Sequence, residues 1–137
     1  MTLYTQKISR QLSFEIRAIK AKPLAREQAA HKILSEGEQL LSQLKPDDYV
    51  IVFDQRGRGS KSSEHFAESL TRVWEMGKSR VVFVVGGAFG LSEKLRARAN
   101  LTLSLGPLTF NHHVAILVAL EQIYRASTIW KSIPYHN

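Results

Sequence analysis

The sequence predicts one α/β domain, residues 1–137, with a mostly parallel sheet flanked by helices. Three observations carry this. Two short segments, YVIVFD at 49–54 and VVFVV at 81–85, are apolar without alternation, as strands covered on both faces must be. Segments with helical periodicity separate them, the pattern of a parallel sheet. The 137 residues, 44% apolar and 23% charged, are enough for one cored domain, and no repeat or low-complexity linker divides them.

In chain order, residues 2–11 read as a short helix. Ser13 to Lys20 reads as a strand, with Phe14, Ile16 and Ala18 on one face, ended by Pro23. Ala25 to Leu44 is a helix with Ile33, Gly37, Leu40, Leu41 and Leu44 on its periodic face. Gly37 inside it costs about 1 kcal/mol against alanine, which marks close packing. Pro46-Asp47-Asp48 is a turn, followed by the 49–54 strand and a basic glycine-spaced loop, Gln55 to Lys61. Ser62 or Ser63 caps a helix with Phe66, Leu70, Val73 and Trp74 as its stripe, and Gly77 stops it. After the 81–85 strand come a GGAFG loop, a short helix capped by Ser92, a strand over Leu101–Leu105 and a loop over Gly106–Asn111. His113 to Trp130 is a long apolar helix, and Ser132 to Asn137 a tail.

Absence of cysteine excludes disulfides, Cys-bound metal and a thiol nucleophile. No apolar run approaches the roughly 18 residues of a membrane span, and the first residues lack a signal-peptide core, so a cytoplasmic protein is expected. The net charge of +7 is concentrated in the first and last thirds. Such a surface suits a polyanion, and phosphates are what it attracts.

Ligands of parallel sheets bind at the carboxyl ends of strands, which directs attention to residues 54–61, 86–91 and 105–112. The GGAFG loop lacks the G-x-G-x-x-G spacing of a dinucleotide site, and Gly106 stands where the ribose carboxylate belongs. No G-K-[ST] closes a phosphate loop. A tight turn, or a neutral or cationic nucleotide-like ligand held by backbone groups, remains open. Arg56, Arg58 and Lys61 can contact phosphate or be simply solvated. His112 and His113 are adjacent and project differently, so they do not chelate, and no metal is expected. One of them can move a proton. Glu121 and Arg125, at i and i+4, can pair on the long helix. Residues 114–120 are apolar nearly all round and need cover on every side, from the core or from a second copy of the chain.

Taken together, VVFVV-GGAFGLS, LTLSLGPLTFNHH, LEQIYRA and the terminal PYHN, with GEQLL at 37–41, resemble the RlmH family of the SPOUT superfamily, over about Arg17 to Asn137. The family methylates N3 of a pseudouridine in large-subunit ribosomal RNA. The resemblance implies an α/β sheet with a C-terminal trefoil knot and a homodimer. It implies S-adenosylmethionine at Phe53, Gly86, Gly87, Leu105, Gly106, Pro107, Leu108, Thr109 and Phe110. His112, Arg125, Tyr135 and His136 are the catalytic candidates it implies, with the tail of one subunit closing the site of the other, and ribosomal RNA or the assembled ribosome as partner. The chain departs from the family pattern at Ala88 and Asn111, where proline is common, and at Ile116, where arginine is common. It starts later than the family does, and it lacks a basic residue after Tyr135-His136. A non-catalytic RNA- or ribosome-binding relative with the same fold is the alternative.

Overall fold

A computed structural model describes residues 2–17, 29–86, 90–108 and 110–135. The elements are α1 (Thr2–Ser9), α2 (Ala29–Ser42), β1 (Tyr49–Arg58), α3 (Ser63–Glu75), β2 (Val81–Val85), α4 (Glu93–Arg98), β3 (Leu101–Leu103) and α5 (His112–Trp130). The three strands form one parallel sheet in the order β2-β1-β3. Among the described residues no helix is long and apolar enough to cross a membrane.

The central position of β1 explains its unbroken apolar run. Val50, Ile51 and Val52 are fully buried. Alternate side chains point to opposite faces of a strand. Ile51 and Phe53 therefore join Phe66, Leu70 and Val73 of α3 and Ala119, Leu120 and Ile123 of α5, with Ile8 of α1, on one face. Val50 and Val52 join Val84, Leu91 and Leu95 on the other, against Leu40 and Leu41 of α2 and the following Leu44. Helices thus cover both faces of the sheet.

The caps fall where side-chain chemistry places them. Ser62 Oγ accepts from the His65 amide at 3.0 Å and starts α3. Gly77, at φ +69°, stops it. Ser92 Oγ accepts from the Leu95 amide at 3.2 Å and starts α4. Gly37 packs against this cap, and a Cβ added there would overlap the Ser92 side chain. At the amino end of the sheet, Asp48 is buried and accepts from Arg80 Nε at 2.9 Å and from the Lys45 amide at 2.7 Å.

Several expectations are corrected. Residues 13–17 form no strand: they pair with no strand of the described sheet, Glu15 turns to Arg17 at 2.8 Å, and Ile16 is 45% exposed. Residues 18–28, which hold the rest of that segment and the expected start of α2, lie outside the described residues. β1 continues through the expected loop to Arg58, whose carbonyl accepts from the Ser104 amide at 3.0 Å after a break in register. Gly57 permits this, because a Cβ there would lie 2.8 Å from the Leu103 carbonyl carbon. β3 stops at Leu103, not Leu105, because Ser104 Oγ bonds both the amide and the carbonyl of Gly106 at 3.1 Å and turns the chain. α5 begins at His112, since Asn111 caps it by accepting from the His113 amide at 2.9 Å.

Candidate functional site

The carboxyl ends of all three strands open onto one cavity of about 380 Å³. Its lining comes from the second half of β1, the end of β2 and the loops that follow β2 and β3, with Arg96 of α4 and Ala115 of α5. That is the position expected of a ligand site in a parallel sheet, and the volume suits a small ligand.

The cavity has two chemical halves. Phe53, Leu105, Leu108 and Phe110 supply an apolar wall. Phe53 is fixed from behind, its ring stacked 6.3 Å from Phe66 and 6.2 Å from Phe83. Asp54, Gln55, Arg56 and Arg96 supply the polar half. Arg96 Nε donates to Asp54 Oδ2 at 2.6 Å, and the Arg56 amide donates to Asp54 Oδ1 at 3.1 Å. Burial pushes the Asp54 carboxyl up, but the Arg56 amide and the Arg96 guanidinium outweigh it and hold its pKa below the ordinary value. Backbone shape matters as well. Gly90 and Gly106 have φ of +95° and +124°, conformations that side chains other than glycine rarely adopt. A Cβ on Gly86 would lie 2.7 Å from Leu91 Cδ2.

Of the residues singled out from sequence, the structure gathers Phe53, Gly86, Leu105, Gly106, Leu108 and Phe110 around this cavity. Pro107 is in the same loop but exposed, outside the lining. Gly87, Ala88, Thr109 and His136 lie outside the described residues. His112 stands in the first turn of α5, between the lining residues Phe110 and Ala115, and its Nδ1 is buried with no hydrogen-bond partner among the described residues. Ile116 is partly buried against the core, as an apolar residue there should be.

Arg125 and Tyr135 belong to a second cluster further along α5. Arg125 donates to Glu121 Oε1 at 2.6 Å, and the Tyr135 hydroxyl donates to the same oxygen at 2.8 Å. The guanidinium stands 4.2 Å over the Tyr135 ring, which also meets Tyr124 at 5.2 Å between centroids. The bond to Glu121 raises the Arg125 pKa; burial and then the same carboxylate raise that of Tyr135. Both groups therefore hold their protons at neutral pH. The tail is tied to its own helix by the Tyr135 hydroxyl on Glu121 and by the Ile133 amide, which donates to the Thr128 carbonyl at 2.8 Å.

Sequence reasoning missed Asp54 and Arg96 as site residues. A carboxylate at the carboxyl end of the central strand was the available signal. Nothing local marks Arg96, which reaches Asp54 only once α4 has packed on the sheet.

Comparison with known proteins matches residues 1–136 to a family described as predicted SPOUT methyltransferase. A ribosomal RNA large subunit methyltransferase H of Bdellovibrio bacteriovorus is 45% identical over 135 residues, covering 98% of this chain and 86% of that protein. Proteins of the same name from Streptococcus pneumoniae and Bacteroides thetaiotaomicron are 40% and 37% identical. Each alignment covers 98% of this chain, with 86% and 85% of the respective relative.

Proposed function

The chain belongs to the SPOUT methyltransferase family, and on that premise we propose that it methylates N3 of a pseudouridine in large-subunit ribosomal RNA with S-adenosylmethionine as donor. It is a ribosomal RNA methyltransferase. The observation that carries the finer reading is the cavity. Its lining combines an aromatic and aliphatic wall with a charged pair, which fits a donor that is nucleoside at one end and amino acid at the other. Of this lining, Gly86, Gly90, Leu91, Leu105, Gly106, Leu108 and Phe110 fall in the motifs by which the chain resembles its family.

When bound, the donor supplies a sulfonium methyl that the imide nitrogen of the base takes in one in-line displacement, leaving a thioether and releasing the imide proton. Phe53, Leu105, Leu108 and Phe110 would hold the adenosine by apolar contact, with Gly86, Gly87, Gly106, Pro107 and Thr109 supplying backbone. Excluding water and fixing the two reactants supplies several kcal/mol of the barrier reduction in such transfers. We assign His112 to receive the imide proton: its buried Nδ1 has no hydrogen-bond partner among the described residues, and an unsatisfied buried atom is costly unless it has work to do. Arg56 and Arg58, exposed at the end of β1, face the RNA phosphates.

The same reading includes the C-terminal trefoil knot and a homodimer. Val114 and Leu117 of α5 are 45% and 40% exposed, and Leu108 beside the cavity is 68% exposed. A second copy laid on this face would cover them. The tail, anchored on α5 through Tyr135, would then close the partner's cavity, the role that the resemblance gives to Tyr135 and His136.

Calorimetric titration with S-adenosylmethionine and S-adenosylhomocysteine tests the proposal, followed by transfer of labelled methyl to ribosomes from a strain lacking the enzyme. Saturable binding at one site per chain and label at one pseudouridine are expected. A folded protein that binds ribosomes but neither adenosyl ligand is instead a non-catalytic relative, and the proposal falls.

A further inference from the structure

We propose that Asp54 and Arg96 form a dipolar clamp for the α-amino and α-carboxylate groups at the amino-acid end of the donor. This rests on the donor reading above. It goes beyond it by naming side chains where the family motifs point to backbone loops.

The chain has a second aspartate–arginine pair for comparison. Asp48 and Arg80 sit at the amino end of the sheet, away from any lining residue of the cavity. Both Asp48 oxygens are engaged there, by Arg80 and by the Lys45 amide, and its side chain is 2% exposed. The Asp48 carboxylate is sealed by its partners while Arg80 is 32% exposed at the sheet's other end, so that pair is structural and faces no cavity lining. The Asp54–Arg96 pair has similar chemistry in another setting. Asp54 stands on the central strand just past the last residue paired with β2, and both residues line the cavity. Their side chains are 9% and 22% exposed, so the pair is partly desolvated yet open on the cavity side.

Each member keeps capacity for a ligand. Asp54 Oδ1 accepts one bond, from the Arg56 amide, and Oδ2 one, from Arg96 Nε. An ionised carboxylate has about four acceptor sites, so both oxygens can accept another donor. Arg96 uses Nε on Asp54 and Nη1 on Glu93 at 2.9 Å. Its Nη2 lies at the glycine loop, 3.9 Å from where a Cβ on Gly90 would stand. A fixed negative and a fixed positive group side by side complement a zwitterion whose ammonium and carboxylate share one carbon. A ligand with a single charge would meet repulsion from one of the two.

Calorimetry with truncated ligands separates this role from a purely structural pair. The wild-type protein is titrated with S-adenosylhomocysteine and with 5′-methylthioadenosine, which lacks the amino-acid end. Loss of that end should weaken binding roughly tenfold or more, the size of a charge-assisted hydrogen bond. Asp54→Asn and Arg96→Gln should each weaken S-adenosylhomocysteine by a similar factor and leave methylthioadenosine within about twofold of wild type. Equal binding of the two ligands by wild type overturns the clamp, and this comparison needs no variant to fold. Equal losses for both ligands in the variants overturn it too, since the pair then only holds α4 in place. Failure of wild type to bind either ligand overturns the donor reading, and the clamp with it.

Discussion

Gly37→Ala sets two opposed effects against each other. Gly37 is buried inside α2, nine residues into a fourteen-residue helix. On helix propensity alone, alanine stabilises it by about 1 kcal/mol. The structure opposes this. The new Cβ would overlap the Ser92 side chain, which caps α4 through the Leu95 amide. Forcing an atom into a filled site costs about 1–3 kcal/mol. If Ser92 rotates away instead, the cap is lost, at about 1 kcal/mol. The Ser92 Cβ, 2.8 Å from the added atom, cannot rotate away, so some backbone shift of α2 or α4 is unavoidable. A rotated Ser92 therefore carries both costs, about 2–4 kcal/mol, against a gain of about 1, so a net destabilisation of about 1–3 kcal/mol is expected. Urea unfolding followed by circular dichroism reads this as a lower midpoint at unchanged slope. The sign should reverse in a Ser92→Gly background. Glycine is tolerated at an N-cap for a few tenths of a kcal/mol and removes the obstructing side chain. There, Gly37→Ala should stabilise by up to about 1 kcal/mol. A stabilising Gly37→Ala in the wild-type background, or the same sign in both, refutes the argument.

Two further outcomes follow from the ion pairs. The Arg80 hydrogen bond holds Asp48, and the Arg56 amide and Arg96 hold Asp54, below their ordinary 3.8 when folded. Their stabilisation should therefore be full above about pH 5 and be lost as pH falls below 3.8, and an acid unfolding series unchanged by Asp48→Asn would contradict this. Tyr135→Phe removes a hydroxyl bonded to the Glu121 carboxylate and should cost about 1–2 kcal/mol by the same urea assay. Glu121→Ala should cost more, because it also strips Arg125 of its acceptor, and equal costs for the two variants would rule out a shared anchor.

What was legible in the sequence depended on how local its cause is. The runs at 49–54 and 81–85 encode burial on both faces directly in composition, so strand type and parallel pairing could be read from them. Ser62, Gly77 and Ser92 act within one turn of their own position, and their roles needed no tertiary information. Phe14, Ile16 and Ala18 show the limit. Alternation describes a strand only if a neighbouring strand is present, and residues 13–17 pair with none in the described sheet. The extension of β1 to Arg58 was hidden for the same reason, since its partner is the Ser104 amide, far along the chain. In the cavity, the loops announced themselves by glycine and irregularity. The Asp54–Arg96 contact did not, because it joins a strand end to a helix face that only packing brings together.

The pairing of the sheet also bears on how the chain acquires its shape. Tyr49 pairs with Val81, and Ile51 with Leu101, with a helix closed into each intervening loop. Among the described strands all pairing is parallel, so none of them forms a hairpin that could come first and template the rest. Ile8 of α1 is wholly buried in a cluster that includes Ile123 and Tyr124 of α5, so a wall of the core is missing until residues near both ends have met. Loop-closure entropy must be met before these contacts return any free energy, which places such a topology toward the slow end of small-domain folding. During synthesis the central strand emerges well before either neighbour, with its backbone edges unpaired and its apolar faces uncovered. Until α5 leaves the ribosome, the nascent chain exposes the apolar surface that Ala119, Leu120 and Ile123 later cover, the kind of surface that makes incomplete chains prone to aggregate.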